Sequence, residues 1–186
     1  MIKLNDIAEI KTGLVLNRKK ADMSKDQKLY YSVVSLKSFN VDAVYDNTFA
    51  DEFISNEQIK EDYQVKQGDI LLRLREPNFA VYIDKEYENL IYPSLMVRVK
   101  IQDNRFDPHF IAHYLNSNTV KKALSTELSG TTIPMINVAN VNEIKIPLIN
   151  LDKQKKIVEY LKLAHKENEL LQNLINEKQK YSKEIF

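Results

Sequence analysis

Cysteine and tryptophan are missing altogether, and glycine occurs only three times in 186 residues. Without thiols there can be no disulfide, thiolate metal centre or cysteine nucleophile, a composition suited to a reducing cytosol. The glycines stand at positions 13, 68 and 130, too far apart to form a cofactor or phosphate loop. No run approaches the ~18 apolar residues of a membrane span. The opening MIKLNDIAEIKTG is charged and amphipathic, so neither a span nor a secretory leader is expected, and the chain reads as cytoplasmic. Net charge is only +1, so bulk charge gives no reason to expect a nucleic-acid partner. Internal repeats and low-complexity linkers are also lacking.

What is present divides in two. With 44% hydrophobic and 28% charged residues, a globular domain over residues 1–149 can build a core without staples. Residues 150–186 contain no Pro or Gly and read as one long helix, with Asn150 or Asp152 able to cap its start. Ile157, Leu161, Ala164, Asn168, Leu171 and Ile175 follow alternating steps of four and three, a heptad seam that Lys178, Ser182 and Ile185 continue. Tyr160, Leu163, Leu170, Leu174 and Tyr181 form a second stripe beside it. A rod of roughly 50 Å at ~1.5 Å per residue is too long to bury its stripe against one small domain and is expected to pair with a partner helix, the alternative being that it folds back along its own domain.

Charge is unevenly spread. Residues 1–28 hold seven Lys or Arg against four acids, a net of 7 − 4 = +3, whereas residues 41–64 hold one base against seven acids, a net of 1 − 7 = −6. Any polyanion should therefore avoid the second segment. Leu4, Ile7, Ala8 and Ile10, with Asn5 as cap, suggest a short opening helix that stops near Gly13. Residues 29–36, 70–75, 79–84 and 95–101 read as strands, with a weaker candidate in TFADEFI. Ser55 is placed to start a single helical turn, and Gln67, Gly68 and Asp69 form a turn. Arg73, Arg75 and Arg98 alternate with aliphatic residues and are expected on a solvated face, with Leu72, Leu74, Val97 and Val99 facing the core. Asp107 before Pro108 opens a helix, a second covers TVKKALSTEL, and a strand from Ile144 to Leu148 leads into the rod. The fold class is α+β: a mixed-sheet domain followed by a long coiled-coil helix.

Three stretches, in this order, resemble the specificity subunits of Type I restriction-modification systems. The opening carries Leu4, Ile7, Ile10 and Gly13; Gly68-Asp69-Ile70-Leu71 follows; residues 129–161 then supply Gly130, Thr131, Ile136, Ile144, Ile146, Pro147, Gln154, Ile157 and Leu161. Departures are Ile149 and Asn150 where prolines are usual, Lys153 where Glu precedes Gln, and Arg75-Glu-Pro-Asn where a glycine-containing loop is usual. The resemblance implies a target-recognition domain that reads double-stranded DNA, with no cofactor of its own. Separate modification subunits would carry S-adenosylmethionine. With one domain and one helix, the chain resembles half of such a subunit, pairing with a second copy or another half so that two domains read a split target.

On that resemblance Arg18, Lys19 and Lys20 are candidates for phosphate contacts, with a solvated loop as the alternative. Arg73, Arg75 and Arg98 are candidates for guanine or phosphate, with pairing to Glu76, Asp84 or Glu86 as the alternative. Lys37, Ser94, Thr131 and Thr132 stand beside strands where short donors reach bases or phosphates. Tyr30, Tyr31 and Tyr92 read as core or edge aromatics. Methyltransferase motifs are missing. His109 and His113 have the spacing of two zinc ligands but no Glu between them at 110, and Glu143-Ile144-Lys145 gives only part of a nuclease motif. Catalysis is not expected. The alternatives are a protein-binding coiled-coil scaffold without DNA binding and a small metal-dependent nuclease using Glu143 and Lys145.

Overall fold

A computed structural model describes residues 1–39, 43–77, 79–126 and 135–184. Its strands are β1 (Ile2–Lys3), β2 (Ala8–Thr12), β3 (Leu29–Val33), β4 (Asp51–Ser55), β5 (Ile70–Arg73), β6 (Ala80–Tyr82), β7 (Leu90–Ile91), β8 (Met96–Ile101) and β9 (Lys145–Ile146). Its helices are α1 (Pro108–Leu115), α2 (Asn118–Thr126), α3 (Val138–Asn142) and α4 (Leu151–Glu184). The class is α+β, with a mixed sheet and a long last helix, as expected.

The opening helix is not there. Leu4–Asp6 make one 3-10 turn and β2 follows, antiparallel to β8 from Ala8 opposite Ile101 to Thr12 opposite Val97. Leu4, Ile7 and Ala8 are three and four apart on a helix, but a turn leading into a strand that alternates at Ala8 and Ile10 has the same spacing. Ser55 likewise ends β4 instead of starting a helical turn, its hydroxyl accepting the Glu57 N–H at 3.2 Å.

The main sheet runs β2-β8-β5-β6, antiparallel throughout. One face, with Ala8, Ile70, Leu72, Leu74, Ala80, Val97 and Val99, packs on the helices through Phe110, Ile111, Leu115, Leu124, Ile144 and Val158. The other carries Leu71, Val81, Ile83 and Met96 and is covered by Val34, Tyr45, Val65, Leu90 and Tyr92. Val34, Val65, Leu90 and Tyr92 belong to or adjoin a second sheet, β4-β3-β7, in which β3 and β7 are parallel, whereas Tyr45 donates to the Tyr82 carbonyl at the edge of β6. The main sheet is therefore closed on both faces, and the expected solvated arginine face is a correction. Arg98 is 7% exposed, donating from Nη1 to the Gln64 carbonyl at 3.3 Å with Glu9 at 3.6 Å from Nη2.

Edges and ends are closed by side chains. The Asn116 amide accepts the Ala80 N–H at 2.7 Å and donates to the Ala80 carbonyl at 2.8 Å, covering the outer edge of β6. The Asp107 carboxylate accepts the Phe110 N–H at 2.9 Å, which with Pro108 starts α1 as expected. Asn150 accepts the Asp152 N–H at 2.8 Å and starts α4.

The first turns of α4 lie against α1 and the domain. Gln154 is fully buried, Val158 is buried, and Ile157 packs at the margin of the helix-side core. Leu161, Ala164 and His165 are half-buried, and from Lys166 to Ser182 every side chain is exposed. Part of the expected seam, Ile157 above all, thus serves the chain's own domain. The remainder projects, leaving Leu171 51% and Ile175 48% exposed.

Candidate nucleic-acid interface

One rim of the main sheet gathers the ends of β2, β5 and β8. Gly13 makes this possible, because a Cβ there would lie 2.3 Å from the Pro93 carbonyl oxygen and 2.5 Å from that of Tyr92. The chain after β2 therefore runs against the chain before β8: Leu14 donates to the Tyr92 carbonyl at 2.9 Å and Ser94 to the Leu14 carbonyl at 2.8 Å. Gly13 is a close-approach position, not the helix stop expected. Across the rim Leu74 donates to Leu95, Ile136 donates to Leu74, and Arg75 bridges Met135.

Arg73, Arg75 and Ser94 are thus brought to one place. Arg73 is half-buried at the end of β5, Arg75 is exposed one step beyond the buried Leu74, and Ser94 is half-buried. Lys121, which sequence reasoning did not single out, reaches the same rim from α2, its ammonium 4.5 Å above the Phe79 ring. Only the fold could show this, since Lys121 and Phe79 are 42 residues apart. Lys37 is exposed in the 3-10 turn Leu36–Ser38, and Val34 donates to the Ile91 carbonyl, so the turns bearing Lys37 and Ser94 leave the same end of the second sheet. Thr131 and Thr132 lie outside the described residues.

The basic loop is elsewhere. Arg18, Lys19 and Lys20 run along the outer edge of β4, tied by Ala21 donating to the Ile54 carbonyl at 2.8 Å and Asp22 to the Asn56 side chain at 2.6 Å. Lys19 is paired with Glu57 at 2.6 Å, while Arg18 and Lys20 are exposed. Arg98, buried between the sheets, is out of reach of a ligand. Tyr31 and Tyr92 are core residues, whereas Tyr30 stands 64% exposed.

The residues weighed for catalysis are engaged in packing and pairing. Glu143 pairs with Lys3 at 2.8 Å, and Lys145 lies opposite Lys3 in the two-stranded β1–β9 ladder. His109 and His113 stack with centroids 4.9 Å apart, and Tyr82 stacks on His109 at 4.8 Å. Burial, reinforced by His109 and Lys162, pushes the His113 imidazole down to about 4. Among the described residues no group of three His, Cys, Asp or Glu is arranged to hold a metal ion, and no helix is long and apolar enough to cross a membrane.

A family model for the Type I restriction modification DNA specificity domain matches residues 1–178. The chain belongs to this family. It is 32% identical over 127 residues to the Type I restriction enzyme MjaVIII specificity subunit of Methanocaldococcus jannaschii, a match covering 65% of this chain and 28% of that protein. In fold it is similar to the HsdS subunit from Thermoanaerobacter tengcongensis, with TM-score 0.71, 17% identity and coverage of 96% of this chain and 45% of that one. The Type I S subunit from M. genitalium gives TM-score 0.56 at 17% identity, covering 94% of this chain and 41% of that one. The chain thus spans under half the length of these relatives.

In this specificity domain the residues that carried the family resemblance have local work. Gly68 has φ +91°, and the turn it completes lets Asp69 accept the Lys66 N–H at 2.8 Å before β5 begins. Gln154 accepts the Asp107 N–H at 2.9 Å and donates to the Arg105 and Ile149 carbonyls at 2.9 and 2.6 Å, locking α4 to the domain.

Proposed function

We propose that this specificity domain reads one half of a split double-stranded DNA target for a Type I modification complex. Residues 1–149 act as the recognition unit and residues 150–186 as the helix that couples it to a second unit and to modification subunits. The observation that carries this reading is the projecting part of α4. Leu170, Leu171, Leu174, Ile175 and Tyr181 are each about half exposed or more on a helix anchored rigidly at its other end. A monomer has no use for such a stripe, whereas a second rod or a partner subunit covers it.

Arg73, Arg75 and Ser94 form the part of the head that meets DNA, with Lys37 beside them, and the exposed Arg18 and Lys20 on the outer edge of β4 are a separate set of candidates for phosphate contacts. Methyl transfer comes from the modification subunits, and the chain itself is the address label of the complex. Sequencing the methylome of cells with and without the gene tests this directly. Loss of one split methylation motif on deletion is the expected result, and an unchanged methylome contradicts it.

A further inference from the structure

Three apolar side chains stand in the open on the rim that carries Arg73, Arg75 and Ser94. Val15 is 43%, Leu95 40% and Met135 47% exposed, while their neighbours Leu14, Met96, Leu74 and Ile136 are buried. The backbone contacts between the segments bring them side by side: Ser94 donates to Leu14, Leu74 donates to Leu95, and Arg75 bridges Met135. Across the rim the outward residues therefore run Val15, Leu95, Arg75, Met135.

Single exposed apolar residues need no explanation, but a row of three around a guanidinium on a rigid support does. Its occupant should offer methyl groups within an anionic, acceptor-rich surface. Arg73, Arg75 and Lys121 on the same rim favour DNA over an apolar protein face. In the major groove the thymine C5-methyl is the apolar mark on a base edge, and an arginine fork suits guanine O6 and N7 or a phosphate.

We infer that Val15, Leu95 and Met135 form a row of thymine-methyl contacts, so that the half-site read by this chain contains thymine. The inference rests on the DNA-reading role proposed above and narrows it to a base chemistry.

Uracil in place of thymine removes the methyl alone and leaves the hydrogen-bonding edges intact. The test uses the full chain assembled with its modification subunits and a duplex bearing the motif found by methylome sequencing, with binding read by fluorescence anisotropy. Replacing half-site thymines by uracil weakens binding about 3- to 10-fold per contacted methyl. Val15→Ser, Leu95→Ser and Met135→Ser together, all at exposed positions, remove the difference between the two duplexes. Equal affinity of the unmodified chain for both duplexes, a half-site without thymine, or a thymine preference that survives the triple substitution overturns the inference while leaving DNA reading intact. Failure to bind the thymine duplex at all overturns both.

Discussion

Arg98 and His113 show how burial assigns roles to charged side chains. Arg98 alternates with valines in β8, yet the second sheet covers its face, and the guanidinium is retained through Gln64 and Glu9 instead of meeting a ligand. Asp69 is buried on the same side, and desolvation raises its carboxyl while the Lys66 N–H, followed by Arg98 and Lys100, partly offsets that shift. His113 yields a pH prediction. Its folded value of about 4 lies below the ordinary histidine value of about 6.5, so the unfolded chain takes up the proton first on acidification. Its contribution to stability is complete above about pH 6.5 and is lost progressively as the pH falls toward 4. Allowing for partial solvent access, urea denaturation at pH 7.5 and pH 5 should show about 1–2 kcal/mol from this group. His113→Phe should flatten that part of the profile; an unaltered acid limb would show that His113 titrates normally.

Gln154 sets how the rod leaves the head. Three hydrogen bonds converge on a side chain with 0% exposure, so Gln154→Leu leaves the Asp107 N–H and two carbonyls unpaired. Denaturation should show a loss of about 2–4 kcal/mol, and a loss under ~0.5 kcal/mol would mean that the joint does not depend on it. The Gln was visible in the sequence as a family mark, but its role was not, because its partners Arg105 and Asp107 are nearly fifty residues away. Legibility elsewhere followed the range of the forces. The strands at 29–33, 70–73, 80–82 and 96–101, the Asp107–Pro108 helix start and the long α4 have local signals in β-branched runs, caps and heptad spacing. The two-residue strands Ile2–Lys3 and Leu90–Ile91 exist only because a partner pairs with them, so no local pattern marks them. The closure of the main sheet's second face was hidden for the same reason. Of the candidate site, alternation and loop position in the sequence marked Arg73, Arg75 and Ser94 as candidates, whereas Lys121 and the exposed Leu95 needed the fold to place them beside these.

At the scale of the whole molecule, a head is fixed to a rod of about 50 Å whose far half carries an uncovered apolar stripe. Two such rods packed antiparallel would bury each other's stripe and hold two heads apart, setting the interval between two half-sites on a duplex. The absence of cysteine makes this measurable, because Tyr30→Cys places a single label on the head at a 64% exposed position. Double electron–electron resonance between spin labels at that site is the most direct test of the account. It predicts a dimer with a dominant interlabel distance of roughly 50 Å or more, abolished by Leu171→Glu with Ile175→Glu while the head keeps its melting temperature. A monomer at assembly concentrations, or two heads closer than about 30 Å, would contradict it.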